Sequence, residues 1–305
     1  MTNDKWLGIL APIAVLASAL CAETHCPGNV ASVPLRPVNR YQMIVAASVN
    51  HSGPYEFLLD TGTQVTILDR SLGSDLHLSA SGLATVIGVG FHESASTANV
   101  DVLQVGNHAL SGHRVIIADL VKMKAVDPRI RGILGEDFFQ HFDILIDNGH
   151  GQLCLDDAGI MRASLKGDRV PFLSQAERPG DSEAANPLIV NVHFENGRRP
   201  IHLKLDSGTN APFLYNPSEY LALGVINGPS LHGQGADGAQ ESFVALRPQT
   251  IEIGSIAFSG VSFLALRNER RVSPPDAFDG LLPTGLFRRI FLSRSSEFAV
   301  FEPRF

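Results

Sequence analysis

Phe57-Leu58-Leu59-Asp60-Thr61-Gly62-Thr63 recurs, 146 residues further on, as Leu203-Lys204-Leu205-Asp206-Ser207-Gly208-Thr209. Each copy is an apolar run that ends in a carboxylate, followed by a hydroxyl residue, a glycine and a threonine. A second pair of landmarks accompanies it. Gly132-Ile133-Leu134 lies 72 residues after Asp60, and Gly280-Leu281-Leu282 lies 74 after Asp206. Two landmarks at nearly constant spacing imply two related lobes of about 120 residues each, because a repeat dictates architecture.

The surroundings of the landmarks match as well. Met43 to Val49 and Leu188 to Phe194 read as apolar-rich strands, with turns expected at Ser52-Gly53-Pro54 and Asn196-Gly197. Ile201-His202-Leu203-Lys204-Leu205 alternates with period two, as a half-buried strand does. Further strands are expected over Val65 to Leu68 and Pro212 to Tyr215, and turns at Val105-Gly106 and Ile253-Gly254. Short helices are expected at Ser71 to Leu78, Glu136 to His141, Pro217 to Leu223 and Leu286 to Ile290. Residues 158–186 lose the pattern and carry the breaker-rich stretch Glu177 to Glu183, which reads as a linker. The chain thus divides into 1–22, 23–157, 158–186 and 187–305.

Composition narrows the class. The chain has 305 residues, 44% hydrophobic and 18% charged, with 28 Gly and 18 Pro, which fits a turn-rich, mainly β globular protein. A net charge of -7 gives no footprint for nucleic acid. The eleven His show no His-Glu-x-x-His pattern, which disfavours a zinc peptidase. There is no Gly-x-Ser-x-Gly elbow of a serine hydrolase. Gly233-Gln234-Gly235-Ala236-Asp237-Gly238 spells a dinucleotide fingerprint but lacks the strand–helix context that would make it one. No cofactor and no metal are expected.

Residues 1–22 have the layout of a secretory signal: Lys5, an apolar run from Trp6 to Leu20, then small residues up to Ala22. A retained anchor and lipidation at Cys21 are the alternatives. Export leads to a periplasmic or extracellular, oxidising compartment. There Cys26 and Cys154 form a disulfide or stay as two free thiols, since sequence fixes no Cα separation.

An Asp after Phe57-Leu58-Leu59 is at least partly buried, so it must be paired or hydrogen-bonded. The next glycine permits the tight turn that aims the carboxylate off the strand end. If the lobes pack about a pseudo-twofold axis, Asp60 and Asp206 face each other. Such a pair holds one shared proton, so one member can activate water while the other donates to a carbonyl oxygen. The bland alternative is a pair of buried, hydrogen-bonded aspartates without chemistry.

At these residues the chain resembles the retropepsin-like aspartic peptidases, a family in which this shared-proton pattern is well known. The resemblance rests on Leu59-Asp60-Thr61-Gly62-Thr63, on Leu205-Asp206-Ser207-Gly208-Thr209 and on Ile133-Leu134-Gly135. It extends over about residues 40–156 and 187–305. It implies an all-β fold with few short helices: two pseudo-twofold-related retropepsin/pepsin-like barrel lobes acting as an intramolecular pair in a monomer. It also implies Asp60 and Asp206 as the catalytic pair and Thr61 and Ser207 as braces between their loops. Thr63 and Thr209 would be hydroxyl donors to the outer carboxylate oxygens, which favours an acidic pH optimum. Gly88-Val89-Gly90 and Gly233-Gln234-Gly235 fall where flaps would close over a peptide or protein substrate. Pro283 departs from the pattern, since it stands where the first lobe has Gly135 and so puts the loop beneath Asp206 in question. The expected activity is an aspartic endopeptidase, without stable membrane insertion after signal removal. The rival is a catalytically silent peptide- or envelope-binding protein that keeps the fold.

Overall fold

The computed structural model describes residues 26–88, 91–173, 188–195, 197, 199–215, 224–226, 231–234, 240–266 and 278–304. The expected signal segment, the helix expected at Pro217 to Leu223 and the breaker-rich stretch Glu177 to Glu183 lie outside them. Among the described residues the chain is mostly β-strand, with only short helices, which is the expected all-β class. None of those helices is long and apolar enough to cross a membrane.

Met43–Val49 and Ser52–Leu59 form a hairpin. Its turn falls earlier than expected. Ser52 already pairs with Val49, so Asn50-His51 is the two-residue turn, with φ of 50° and 62°. Positive φ at both positions is the type I′ geometry, whose twist matches the strands it joins. The Asn50 side chain accepts from the N–H groups of Asp101 and Val102 at 2.7 and 3.2 Å, which steadies that turn.

Ser52–Leu59 runs parallel to Ile130–Leu134, which is flanked on its other side by antiparallel Ile67–Asp69. Ile67–Asp69 is parallel to His108–Ala118, then come Phe91–Val105 and Ala80–Gly88, each antiparallel to the last. The C-terminal half repeats these pairings in the same senses. Ile201–Asp206 is parallel to Gly280–Pro283, and Phe213–Leu214 is antiparallel to it on the other side. Leu264–Leu266, Gln240–Ala245 and Leu231–Gln234 follow in order. Each half curls back on itself, through Ser48↔Gln104 and Val49↔Leu103 in one and His193↔Glu252 and Phe194↔Ile251 in the other. The turns at Gly106 and Gly254 have φ of 57° and 60°.

The halves join through a six-stranded antiparallel run. Its order is Val170–Pro171, Phe298–Glu302, Arg289–Ser293, Asp143–Asp147, Gln152–Asp156 and Ser32–Pro37. The central contact pairs Ile290 with Ile146 and Phe291 with Leu145. Arg289 meets Asp147 at 3.1 Å, and Arg162 meets Asp143 at 2.9 Å. A disulfide joins Cys26 to Cys154, with their Cα atoms 5.9 Å apart, and fixes the N-terminal end to this sheet. Two expectations are corrected here. Leu286 to Ile290 is not a helix: a 3₁₀ turn spans Thr284–Leu286, and Ile290 lies in the strand Arg289–Ser293. Burying Ile290, Phe291 and Leu292 against the other half outweighs local helix preference. Nor is the described part of 158–186 a bare linker. Ile160–Ser164 is a helix, and Val170–Pro171 pairs with Ala299 and Phe298. The helix expected over Ser71 to Leu78 is Arg70–Asp75, begun by the Asp69 carboxylate accepting from the Ser71 N–H. The one expected over Glu136 to His141 is a single turn, Glu136–Phe139.

Candidate active site

Asp60 follows the end of Ser52–Leu59, and its N–H donates to the Leu134 carbonyl at 3.0 Å. The strand Ile130–Leu134 therefore lies between the two arms of the loop 60–66 and supports it from below. Asp206 ends Ile201–Asp206 and pairs with Pro283 in the same way. Thus the same threaded arrangement carries each carboxylate.

The two loops hold each other by four hydrogen bonds. The Thr61 N–H donates to Ser207 Oγ at 2.9 Å, and the Thr61 hydroxyl donates to the Leu205 carbonyl at 3.1 Å. Reciprocally, the Ser207 N–H donates to Thr61 Oγ1 at 3.1 Å, and the Ser207 hydroxyl donates to the Leu59 carbonyl at 2.9 Å. Thr61 is 0% exposed and Ser207 is 2% exposed, so these bonds form away from water and every partner is needed. Gln42 adds a further tie by donating to the Gly208 carbonyl.

This bracing brings the carboxyl groups together. A Cβ placed on Gly62 would lie 2.4 Å from Asp206 Cγ, and one on Gly208 would lie 2.3 Å from Asp60 Cγ. Each glycine therefore rests against the carboxyl of the opposite half, an approach that any side chain would block. Within its own loop, Asp60 Oδ1 accepts from the N–H groups of Gly62 and Thr63, at 2.8 and 3.0 Å. Asp206 Oδ1 accepts likewise from Gly208 and Thr209, at 2.7 and 3.1 Å.

The outer oxygens differ. The Thr63 hydroxyl donates to Asp60 Oδ2 at 2.7 Å, as expected. The Thr209 hydroxyl does not bond Asp206; it donates to the Ala211 carbonyl at 3.1 Å. Asp206 is also the more deeply buried of the two. Burial, and then the negative charge of Asp60, push its carboxyl up to about 7, against the opposing pull of Lys204 and its own loop N–H groups. Tyr215 lies in the same environment; burial first, then the Asp206 charge, push its phenol upward.

Pro283 proves to be one member of a matched change. In the N-terminal half the Gly135 N–H donates to Thr66 Oγ1 at 3.1 Å, and the Thr66 hydroxyl donates to Asp137 at 2.7 Å. At the corresponding positions the C-terminal half has Pro283, Pro212 and Gly285. Donor and acceptor are lost together, so no buried polar group is stranded there. The outer loop contacts survive: Ile116 donates to Thr66 O at 3.0 Å, and Leu264 donates to Pro212 O at 2.9 Å.

Gly88 and Gly233 lie on hairpin arms, Ala80–Gly88 with Phe91–Val105 and Leu231–Gln234 with Gln240–Ala245. Val89, Gly90 and Gly235 lie outside the described residues. Among the described residues no three His, Cys, Asp or Glu side chains gather as metal ligands. Sequence reasoning passed over Lys204, whose ammonium donates to the Gly62 carbonyl at 2.6 Å. The strand alternation that puts it on the face of Asp206 was the signal. It also passed over the buried ion pair of Glu136 with Arg294, which crosses between the halves.

An all-β fold with two braced Asp loops defines a class, and comparison with known families agrees with it. Residues 45–138 match the aspartyl protease family, a stretch that includes the Asp60 loop and the strand beneath it and ends before Asp206. The matched stretch is thus similar to retropepsin-like aspartyl proteases, a family of peptide hydrolases. No curated protein matches the chain.

Proposed function

We propose that this chain is an exported aspartic endopeptidase in which Asp60 and Asp206 act as one site on an extended peptide. The observation that carries the reading is the reciprocal packing of each loop glycine on the opposite carboxyl. Two carboxyls so close do not both ionise readily, and their environments differ enough to separate their roles. Asp206, buried and pushed upward, is the acid. Asp60, which accepts from two N–H groups and the Thr63 hydroxyl, is the carboxylate.

In the reaction, Asp60 takes a proton from water as its oxygen attacks the peptide carbonyl carbon, and Asp206 gives its proton to the carbonyl oxygen. Collapse breaks the C–N bond, with a proton passing to the leaving nitrogen, and returns one proton to the pair. The two lobes work as an intramolecular pair. Ala80–Gly88 and Leu231–Gln234 end their sheets, and a substrate strand could be added to such edges by β-augmentation. The apolar segment after Lys5 and the Cys26–Cys154 bridge support export to an oxidising compartment.

Digestion of a mixed peptide library from about pH 3 to 9 tests this reading. Cleavage is expected on the acidic side. It should fall as pH rises through about 7, where Asp206 loses the proton it must donate. A statine-type transition-state mimic should block it. Absence of cleavage by the folded, signal-processed protein at every pH would instead favour a silent peptide-binding protein.

A further inference from the structure

One difference between the halves beside the dyad brings a charge to one side only. The strand Ile201–Asp206 alternates, with Ile201, Leu203 and Leu205 buried on one face and Lys204 sharing the other with Asp206. The corresponding residue before Asp60 is Leu58, 2% exposed in an apolar cluster with Ile44, Ile133 and Ile130. An ammonium thus stands where the other half has a leucine.

Two contacts fix that ammonium in place. It donates to the Gly62 carbonyl at 2.6 Å, across the boundary between the halves. It also lies 5.8 Å from the centroid of the Phe278 ring, within cation–π range. Gly62 is the residue whose N–H serves Asp60 and whose Cα rests on the Asp206 carboxyl. A group that grips Gly62 therefore acts on both carboxyls at once. The titratable groups that interact with Asp206 are Asp60 from the opposite loop, Lys204 from its own strand and Tyr215 from the segment after Phe213–Leu214. Lys204 is the one cation among these described groups.

We propose that Lys204 is a positioning residue for the carboxyl pair, holding the Asp60 loop against Asp206 and placing a fixed positive charge beside the Asp206 carboxyl. This deepens the aspartic peptidase reading and, for its kinetic consequences, rests on it. The charge opposes the effects of burial and of Asp60, so that Asp206 still releases its proton within the working pH range. Lysine suits the task because its compact charge sits on a flexible stem that can span the two halves.

The test compares wild type with Lys204→Met and Lys204→Arg, using the ¹³C titration of the Asp206 carboxyl together with peptide cleavage. In Lys204→Met the Asp206 titration should move up by about one pH unit, with the alkaline limb of kcat following it. Lys204→Arg should stay near wild type in both. Because Lys204 touches the loop and not the substrate, kcat should fall about tenfold in Lys204→Met with KM little changed. If Lys204→Met does not fold, Lys204→Gln, neutral but still a donor, replaces it with the same expected titration shift. An unchanged Asp206 titration in the neutral variant overturns the proposal, as does a rise in KM with kcat intact. Failure of the peptidase reading looks different: cleavage would survive Asp206→Asn, while the carboxyl titration would still report whether Lys204 acts on Asp206.

Discussion

A buried carboxyl that keeps its proton into the neutral range weakens the fold that holds it, and Asp206 is such a group. Its folded value is raised to about 7, well above the ordinary aspartate value of 3.8. The sign follows from proton linkage. Between those values the folded state binds more protons than the unfolded state, so stability falls as pH rises through that window. Asp206→Asn, which keeps the shape and removes the charge, should melt higher than wild type at pH 7.5, by on the order of 2 kcal/mol. At pH 4 the two should differ little. Thermal melts at the two pH values check this, and equal differences at both would contradict it. Under the proposed mechanism, activity and stability therefore oppose each other at this residue. The asymmetry behind it was only partly legible in the sequence. The two Asp-hydroxyl-Gly-Thr phrases look alike, and the Thr209 hydroxyl is taken by the Ala211 carbonyl, which the phrase does not contain.

At the scale of elements, the active-site loops are held less by their own strands than by each other. Thr61 and Ser207 exchange four bonds with no water available to replace them. Thr61→Val conserves shape but strands the Ser207 N–H and the Leu205 carbonyl. It should cost about 2–4 kcal/mol in a urea titration, and it should lower kcat by freeing the loops. A change within about 0.5 kcal/mol would mean the bracing contributes little. The strands around these loops were readable because alternation and apolar runs mark them locally, as in Ile201–Asp206 and Met43–Val49. Three features were misread for lack of long-range information. The turn at Asn50-His51 depends on carboxamide bonds to a strand some fifty residues away. The supposed helix through Ile290 is a strand because the other half supplies its partner. The supposed linker near Val170 is ordered by Phe298–Glu302.

For the molecule as a whole, the six-stranded join fixes the distance between the halves, and with it the distance between the carboxyls. Asp143 and Asp147 begin and end one of its two inner strands and take Arg162 and Arg289 as partners. The repeat of landmarks was legible from spacing alone. The join was not, because its strands come from four separated segments with no shared phrase. A dyad assembled in this way acts as a unit or not at all. The most direct measurement is therefore kcat/KM for one susceptible peptide in wild type, Asp60→Asn, Asp206→Asn and the double variant. Each single substitution should lower the rate by at least about 10²-fold, and the double variant should be no slower than the worse single. Losses that multiply in the double variant, or cleavage that survives either single change, would contradict a shared site.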